Sequence, residues 1–385
     1  MRGVVFGFVA AVALASAASA ACSNQGPAVQ DVAVPGAPFA SVPSADGCTI
    51  YVSLRTEDGR GAIAIVSRTG DKPVLTGTVS TPAPLWGLTL TRDGALLIAA
   101  DGKGATFVDT RAATVQGAIA DGGKDTIYTA VTPDETQLFV SDEHSRGIGV
   151  IDLAKARSGG FSRDAAASTI PVWLAPVGLA VSPDGKALFA TVQIVTQPDL
   201  PRTCSDEQGR GGEHHEGALL VIDTQRAKSD PTHAVVAFAY AGCNPVRVAL
   251  SPKADRAYVT ARGSNALLIF DTAKLVTQSK TALIASVPVG KSPVGVAVTP
   301  DGKTVVVSNS DRFADDGAHK SVTFVDAAKA ETGAAALLGS VDVGAFPREL
   351  SITADGGTLI VANARSASIT LIDLKTVTLK PATQP

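Results

Sequence analysis

Four of the five histidines in this 385-residue chain stand in polar stretches beside carboxylates. Glu213-His214-His215-Glu216 is the densest group, and His144 and His319 lie near Asp142, Asp311, Asp315 and Asp316. Neutral imidazole combined with carboxylate oxygens is a donor set that suits transition metals. No pair has the spacing that fixes ligand geometry, as His-Glu-x-x-His does on a helix. A metal ion held by His144, His214, His215 and His319 is therefore an alternative reading, and no cofactor is expected. A second set consists of Tyr128, Arg247, Arg262, Arg348, Glu349 and Arg365. Its guanidinium groups are the side chains that pair best with carboxylate or phosphate oxygens. The chain has no Gly-x-Ser-x-Gly elbow, no phosphate loop and no Cys-x-x-Cys-His.

The elements that would position these residues repeat. An apolar strand runs into a Ser/Thr-Pro-Asp-Gly-like turn, a second apolar strand follows, and a third ends in Val/Ile-Asp. The clearest copies start at Pro176, Pro293 and Pro347, with matching copies from Pro38, Leu85, Thr126 and Pro245. The turn falls at Asp46, Asp93, Asp134, Asp184, Lys253, Asp301 and Asp355, with Lys-Ala replacing Asp-Gly in the fifth copy. A unit of roughly 50 residues cannot bury its apolar faces alone, so such units stack. Proline presets φ and glycine tolerates positive φ, which gives the turn its mechanism. A fourth, less regular strand fits Ala282–Val289 and Leu337–Val343. The expectation is an all-β, seven-bladed β-propeller of four-stranded antiparallel blades. The segment 30–36 resembles the fourth-strand segments, so an N-terminal strand is expected to close the last blade and remove a sheet edge. The divisions are a signal peptide at 1–20, a short segment at 21–28, the propeller at 29–376 and a tail at 377–385.

That topology puts the loops between second and third strands on one face, the top, together with the blade-to-blade loops. Most length variation falls there, between Val192 and Glu216 and between Asn309 and Lys320. Loops clustered on one side of a rigid scaffold mark a binding face. On the first strands, Gly87, Gly178 and Gly295 alternate with Ala40, Tyr128, Arg247 and Glu349. Glycine lets the innermost strands crowd the axis. Tyr128, Arg247 and Glu349 then place polar groups at the channel mouth, with Arg262, Arg348 and Arg365 in nearby loops. A small anionic ligand fits that set, and an Arg–Glu pair that closes the channel structurally fits it equally.

The second strands read Tyr51-Val52-Ser53-Leu54, Phe139-Val140-Ser141-Asp142, Tyr258-Val259-Thr260-Ala261 and Ile360-Val361-Ala362-Asn363. In these words the chain resembles the YVTN-type β-propeller repeat family, which includes lactonase-like seven-bladed propellers and exported bacterial binding propellers. The resemblance implies seven blades but no single activity. If lactonase-like chemistry is present, it implies catalytic groups among Arg247, Glu349, His144 and His319, although no catalytic motif matches position by position. The reading preferred here is a binding module for a protein partner or a small ligand, with hydrolysis as the alternative.

Net charge is −3 and no Lys/Arg cluster tracks phosphates, which excludes nucleic acid as a partner. Hydrophobic residues make up 45% of the chain, enough for a packed core. Arg2, the apolar run from Val4 to Ala15 and Ala18-Ser19-Ala20 read as an export leader too short to span a bilayer. A bacterial periplasmic or secreted location follows, with no transmembrane segment. Four cysteines in an exported chain allow three pairings. Topology puts Cys204 and Cys243 on the top of neighbouring blades, and Cys22 and Cys48 near the bottom, so those two bonds are expected. Ser19-Ala20-Ala21-Cys22 also loosely resembles a lipoprotein box. A lipid anchor at Cys22 is the alternative, because one sulfur cannot serve both ends.

Overall fold

The structure, a computed structural model, describes residues 22, 26–196, 204, 215–311 and 320–382. Strands of consecutive sequence form seven four-stranded antiparallel sheets. Their innermost strands are Ala37–Pro43, Leu88–Leu90, Thr126–Val131, Leu174–Val181, Pro245–Leu250, Pro293–Val298 and Pro347–Ile352. The expected seven-bladed propeller is what the chain forms. In the seventh sheet Val29–Ala33 pairs with Ser368–Asp373, so the N-terminal strand closes the ring as expected. Apolar residues fill the spaces between neighbouring blades. Phe139 and Ile148 meet Leu179 and Leu188, and Phe189 and Leu219 meet Val259 and Leu268.

The repeated turn works as a staple. Ser44, Thr132, Ser182 and Thr299 each donate a hydroxyl to the aspartate two residues on, at 2.5–2.6 Å. These hydroxyls hold the carboxyls of Asp46, Asp134, Asp184 and Asp301 below their usual range. The fifth copy keeps the staple by another route. Ser251 donates to Asp255 at 2.6 Å, and Ala254 takes the left-handed conformation, φ 53°, that Glu135 takes in the third copy and glycine in the others. The aspartate that ends the third strand in six blades also has a local role. Asp152, Asp223, Asp271 and Asp326 cap the first turn of the short helices that follow.

Neighbouring innermost strands are joined by buried hydroxyls on the second strands. Thr191 Oγ1 accepts the amide of Gly178 at 2.9 Å and donates to the carbonyl of Val246 in the next blade at 2.9 Å. Thr260 does the same between Arg247 and Val294, and Ser308 between Gly295 and Arg348. Ser53 links Ala40 to Trp86, and Ser141 reaches Val177. All five side chains are fully buried. Blade two has Ala100 at this place, and there the Gly87 amide bonds directly to the Ile127 carbonyl at 2.9 Å. Between the last and first blades, the hydroxyls of Ser41 and Ser351 meet at 2.8 Å.

Ring closure has further ties on the bottom face. Cys22 and Cys48 form a disulfide. The buried Arg68 donates to the carbonyls of Gly47 and Cys22 and to the Thr358 hydroxyl of the last blade. Past the last strand the tail crosses to blade six, where Lys380 and Ser340 exchange both backbone hydrogen bonds.

Thr260→Val keeps the side chain's shape but leaves the Val294 carbonyl and the Arg247 amide buried without a partner. Each such loss costs about 1–3 kcal/mol, so the valine variant is expected to lose about 2–4 kcal/mol in urea unfolding, while Thr260→Ser stays near the wild type. A valine variant as stable as the wild type would show that the bridge contributes nothing.

Candidate functional site

The innermost strands break register just inside the mouth. Irregularities fall between Pro38 and Ser41, Pro176 and Leu179, Pro245 and Val248, Pro293 and Val296, and Pro347 and Leu350. Blade three has the same feature between Thr126 and Tyr128. Bulges of this kind re-aim side chains. Here they fall at Ala40, Tyr128, Gly178, Arg247, Gly295 and Glu349, and Gly87 of blade two completes the ring of positions without such a break.

Large and minimal residues alternate around that ring for a steric reason. A Cβ on Gly178 would lie 2.6 Å from the Val246 carbonyl oxygen, and one on Gly295 would lie 2.2 Å from that of Arg348. Glycine at those two positions lets the next blade approach closely and clears the space over blade six. Arg247 then reaches from blade five past Gly295 to Glu349 in blade seven, with Nε 2.6 Å from Oε1. Both side chains are buried, 3% and 6% exposed. The Arg247 guanidinium lies 4.6 Å from the Tyr128 ring centroid. Depth in the channel pushes the Tyr128 phenol well above its usual range, and the neighbouring Glu349 carboxylate adds to the shift. The phenol therefore stays protonated as a donor.

From Arg247 a chain of alternating cations and rings runs outward. Its guanidinium lies 5.7 Å from the ring of Phe39, and that of Arg348 lies 4.3 Å from the same ring. Phe346 follows, with Arg348 at 5.3 Å and Arg365 at 4.9 Å from its centroid. Phe39 is buried, Arg348 and Phe346 are half-buried, and Arg365 is exposed. Guanidinium over an aromatic face is an attractive arrangement. Tyr128, Arg247, Arg348, Glu349 and Arg365 thus belong to one contact chain. Arg262 sits in the turn Arg262–Ser264 beyond the second strand of blade five, with its amide on the Asn244 carbonyl. Phe39 and Phe346 were missed by the sequence reading, because nothing in the repeat distinguishes an aromatic at a blade entrance from core.

The histidines do not converge among the described residues. His214 and His319 lie outside them. His144 Nδ1 is 2.6 Å from Asp125 and the ring is exposed, and His215 offers its backbone carbonyl to the Asn244 amide. Asp142, a candidate oxygen donor, is already engaged by the amides of Lys124, Asp125 and His144. Among the described residues no group of three or more His, Cys, Asp or Glu could hold a metal ion. Cys204 and Cys243 are bonded, as expected from topology, and with Cys22 bonded to Cys48 no described cysteine is free. Among the described residues no helix is long and apolar enough to cross a membrane.

Asp121, near Asp142, has its carboxyl pushed up to about 6 by burial, with the charge of Asp142 adding to it. The folded chain therefore holds a proton that the unfolded chain releases near pH 4. Stability is fully present below that point and falls as pH rises toward 6. Asp121→Asn should remove this fall and raise stability at pH 7 by about 1–3 kcal/mol. Unfolding curves at pH 4.5 and pH 7 with the same difference in both proteins would rule this out.

Residues 220–384 match the family model described as "Lactonase, 7-bladed beta-propeller", less than half of the chain. No curated protein matches the sequence. Among solved structures, the chain is similar to one titled "Kuenenia stuttgartiensis Hydrazine Synthase". That likeness has a TM-score of 0.66 at 19% identity and covers 88% of this chain and 96% of that one. At that identity it speaks to the fold alone. The seven closed sheets and the family match together support a lactonase-like seven-bladed propeller.

Proposed function

We propose that this protein is an exported binding module that takes a small anionic ligand or an acidic group of a partner at the top mouth of its propeller. The observation that carries this reading is the chain of guanidinium groups and rings that starts at buried Arg247 and surfaces at exposed Arg365. Arginine held against rings is oriented before a ligand arrives, which lowers the cost of fixing it on binding. Arg348 and Arg365 are the groups placed to meet an oxyanion. Arg247, Glu349 and Tyr128 hold the layer beneath them, which agrees with a positioning role. Two disulfides and the leader-like residues 1–20 support an oxidising location, periplasmic or secreted.

Lactonase-like hydrolysis is the second reading, favoured by the family match over the half that holds Arg247 and Glu349. Ester hydrolysis needs a donor on the carbonyl oxygen and a base within reach of water. Glu349 is buried and held by Arg247 Nε, which argues for structure rather than turnover.

Titration calorimetry with small carboxylates and their neutral amides tests the binding reading. Carboxylates are expected to bind and amides not, and binding should weaken with salt because Arg365 is exposed. Loss of a charge-assisted hydrogen bond in Arg365→Gln should cost roughly tenfold or more in affinity. A lactone panel run alongside is expected to hydrolyse no faster than in buffer. Turnover abolished by Arg247→Ala and Glu349→Ala would replace binding with catalysis.

A further inference from the structure

The N-terminal strand completes blade seven, so the chain beyond Asp373 has no blade left to finish. It crosses instead to blade six, where Lys380 meets the backbone of Ser340 and its ammonium pairs with Asp342. The crossing walls a cavity of about 590 Å³ on the bottom face, between the repeated turns of blades six and seven. Volumes of ~300–1,000 Å³ are those of sites that take small molecules. Leu374, Val377 and Leu379 of the tail line it, with buried Phe324 of blade six. Leu338 lines it too and is 48% exposed, as the extra residue of a bulge between the partners of Phe324 and Val325. The turn aspartates Asp301 and Asp355 supply its charge.

The repeat contains its own control. The equivalent groove between blades three and four also has two turn aspartates, Asp134 and Asp184, but Arg92, Lys186 and Lys228 line it with them. There the helix Thr224–Ser229 stands where the tail runs in blade seven. Between blades six and seven, no lysine or arginine is among the described residues of the lining. Asp301 has Lys303 at 3.7 Å, an exposed pair that holds weakly. Asp355 accepts the Thr353 hydroxyl and the Gly357 amide on Oδ1, and no described residue donates to its Oδ2. Burial alone would raise the Asp355 carboxyl, but the Thr353 hydroxyl and the Gly357 amide hold it below its usual range. Apolar walls beside two ionised carboxylates suit a ligand with a greasy body and a positive end.

We propose that this cavity is a second binding site, which takes a small amphipathic cation: a primary ammonium carried on an apolar chain or ring. The apolar part lies against the tail and Leu338, and the ammonium meets the aspartates. The site is on the face opposite the mouth, so it stands or falls independently of the anion reading.

The test is titration calorimetry with hexylammonium, hexanol and methylammonium on the wild type, Asp301→Asn, Leu338→Gln and Asp184→Asn. Hexylammonium is expected to bind the wild type about tenfold tighter than hexanol, because its contacts with carboxylates are charge-assisted. Methylammonium, which has no apolar body, should not bind measurably. Asp301→Asn and Leu338→Gln should each weaken hexylammonium about fivefold. Asp184→Asn, in the control groove, should leave it unchanged. Asparagine keeps an acceptor for the Thr299 hydroxyl and Leu338 is half exposed, so both site variants should melt with the wild type. Hexanol binding as tightly as hexylammonium would leave the aspartates without a role and overturn the proposal. Hexylammonium binding that neither site variant weakens, or no binding at all, would overturn it as well.

Discussion

In four of the seven blades a single buried hydroxyl accepts an amide from its own first strand and donates to a carbonyl of the next blade, and these bridges set the spacing of this propeller. Apolar packing between blades supplies most of the stabilisation, but it is non-directional and would tolerate sliding. The hydroxyls of Thr191, Thr260 and Ser308 fix which atom faces which across each gap. They act where leaving a polar backbone group unmade costs most, because their side chains have no exposure. Where the second strand offers Ala100 instead, the backbone of Gly87 makes the link itself. The mouth inherits its geometry from this ring of bridges.

Three large side chains share one layer of a narrow channel because glycine stands between them. Gly178 and Gly295 admit the neighbouring backbone at distances no Cβ could occupy. A buried Arg–Glu pair is costly to desolvate, and its mutual attraction recovers that only with good geometry. Arg247 has that geometry with Glu349, and two rings, Tyr128 and Phe39, complete its surroundings. The same ring, Phe39, carries Arg348 on toward the surface. A buried Arg–Glu floor, in which Arg247 Nη2 has no hydrogen-bond partner among the described residues, beneath an exposed Arg365 is the arrangement on which the binding proposal rests.

Much of the architecture was legible in the residues. The recurring turn gave the blade number, and the resemblance of segment 30–36 to the outer strands gave ring closure, now seen in Val29–Ala33 against Ser368–Asp373. The sides of the sheet told which cysteines could meet. Other features were not legible, for identifiable reasons. The fifth turn looked broken at Lys253 because its carboxylate had moved to Asp255 and its left-handed residue is alanine. The third residue of words such as Tyr258-Val259-Thr260 read as one more strand position, since its partner lies in another blade. Phe39 and Phe346 carry no periodic signal, and only three dimensions place them between arginines.

If the hydroxyl bridges hold the ring together, the amides they accept must be among the best protected in the molecule. Native-state hydrogen exchange at Gly178, Arg247 and Gly295 measures this directly, because their amides bond to side-chain oxygens rather than to a strand ladder. Exchange only through global unfolding, with the same free energy as the ladder amides of Val259 and Leu268, is the predicted result. Exchange through local opening at a much lower free energy would mean that packing alone sets the blades, and that the mouth is not held as described.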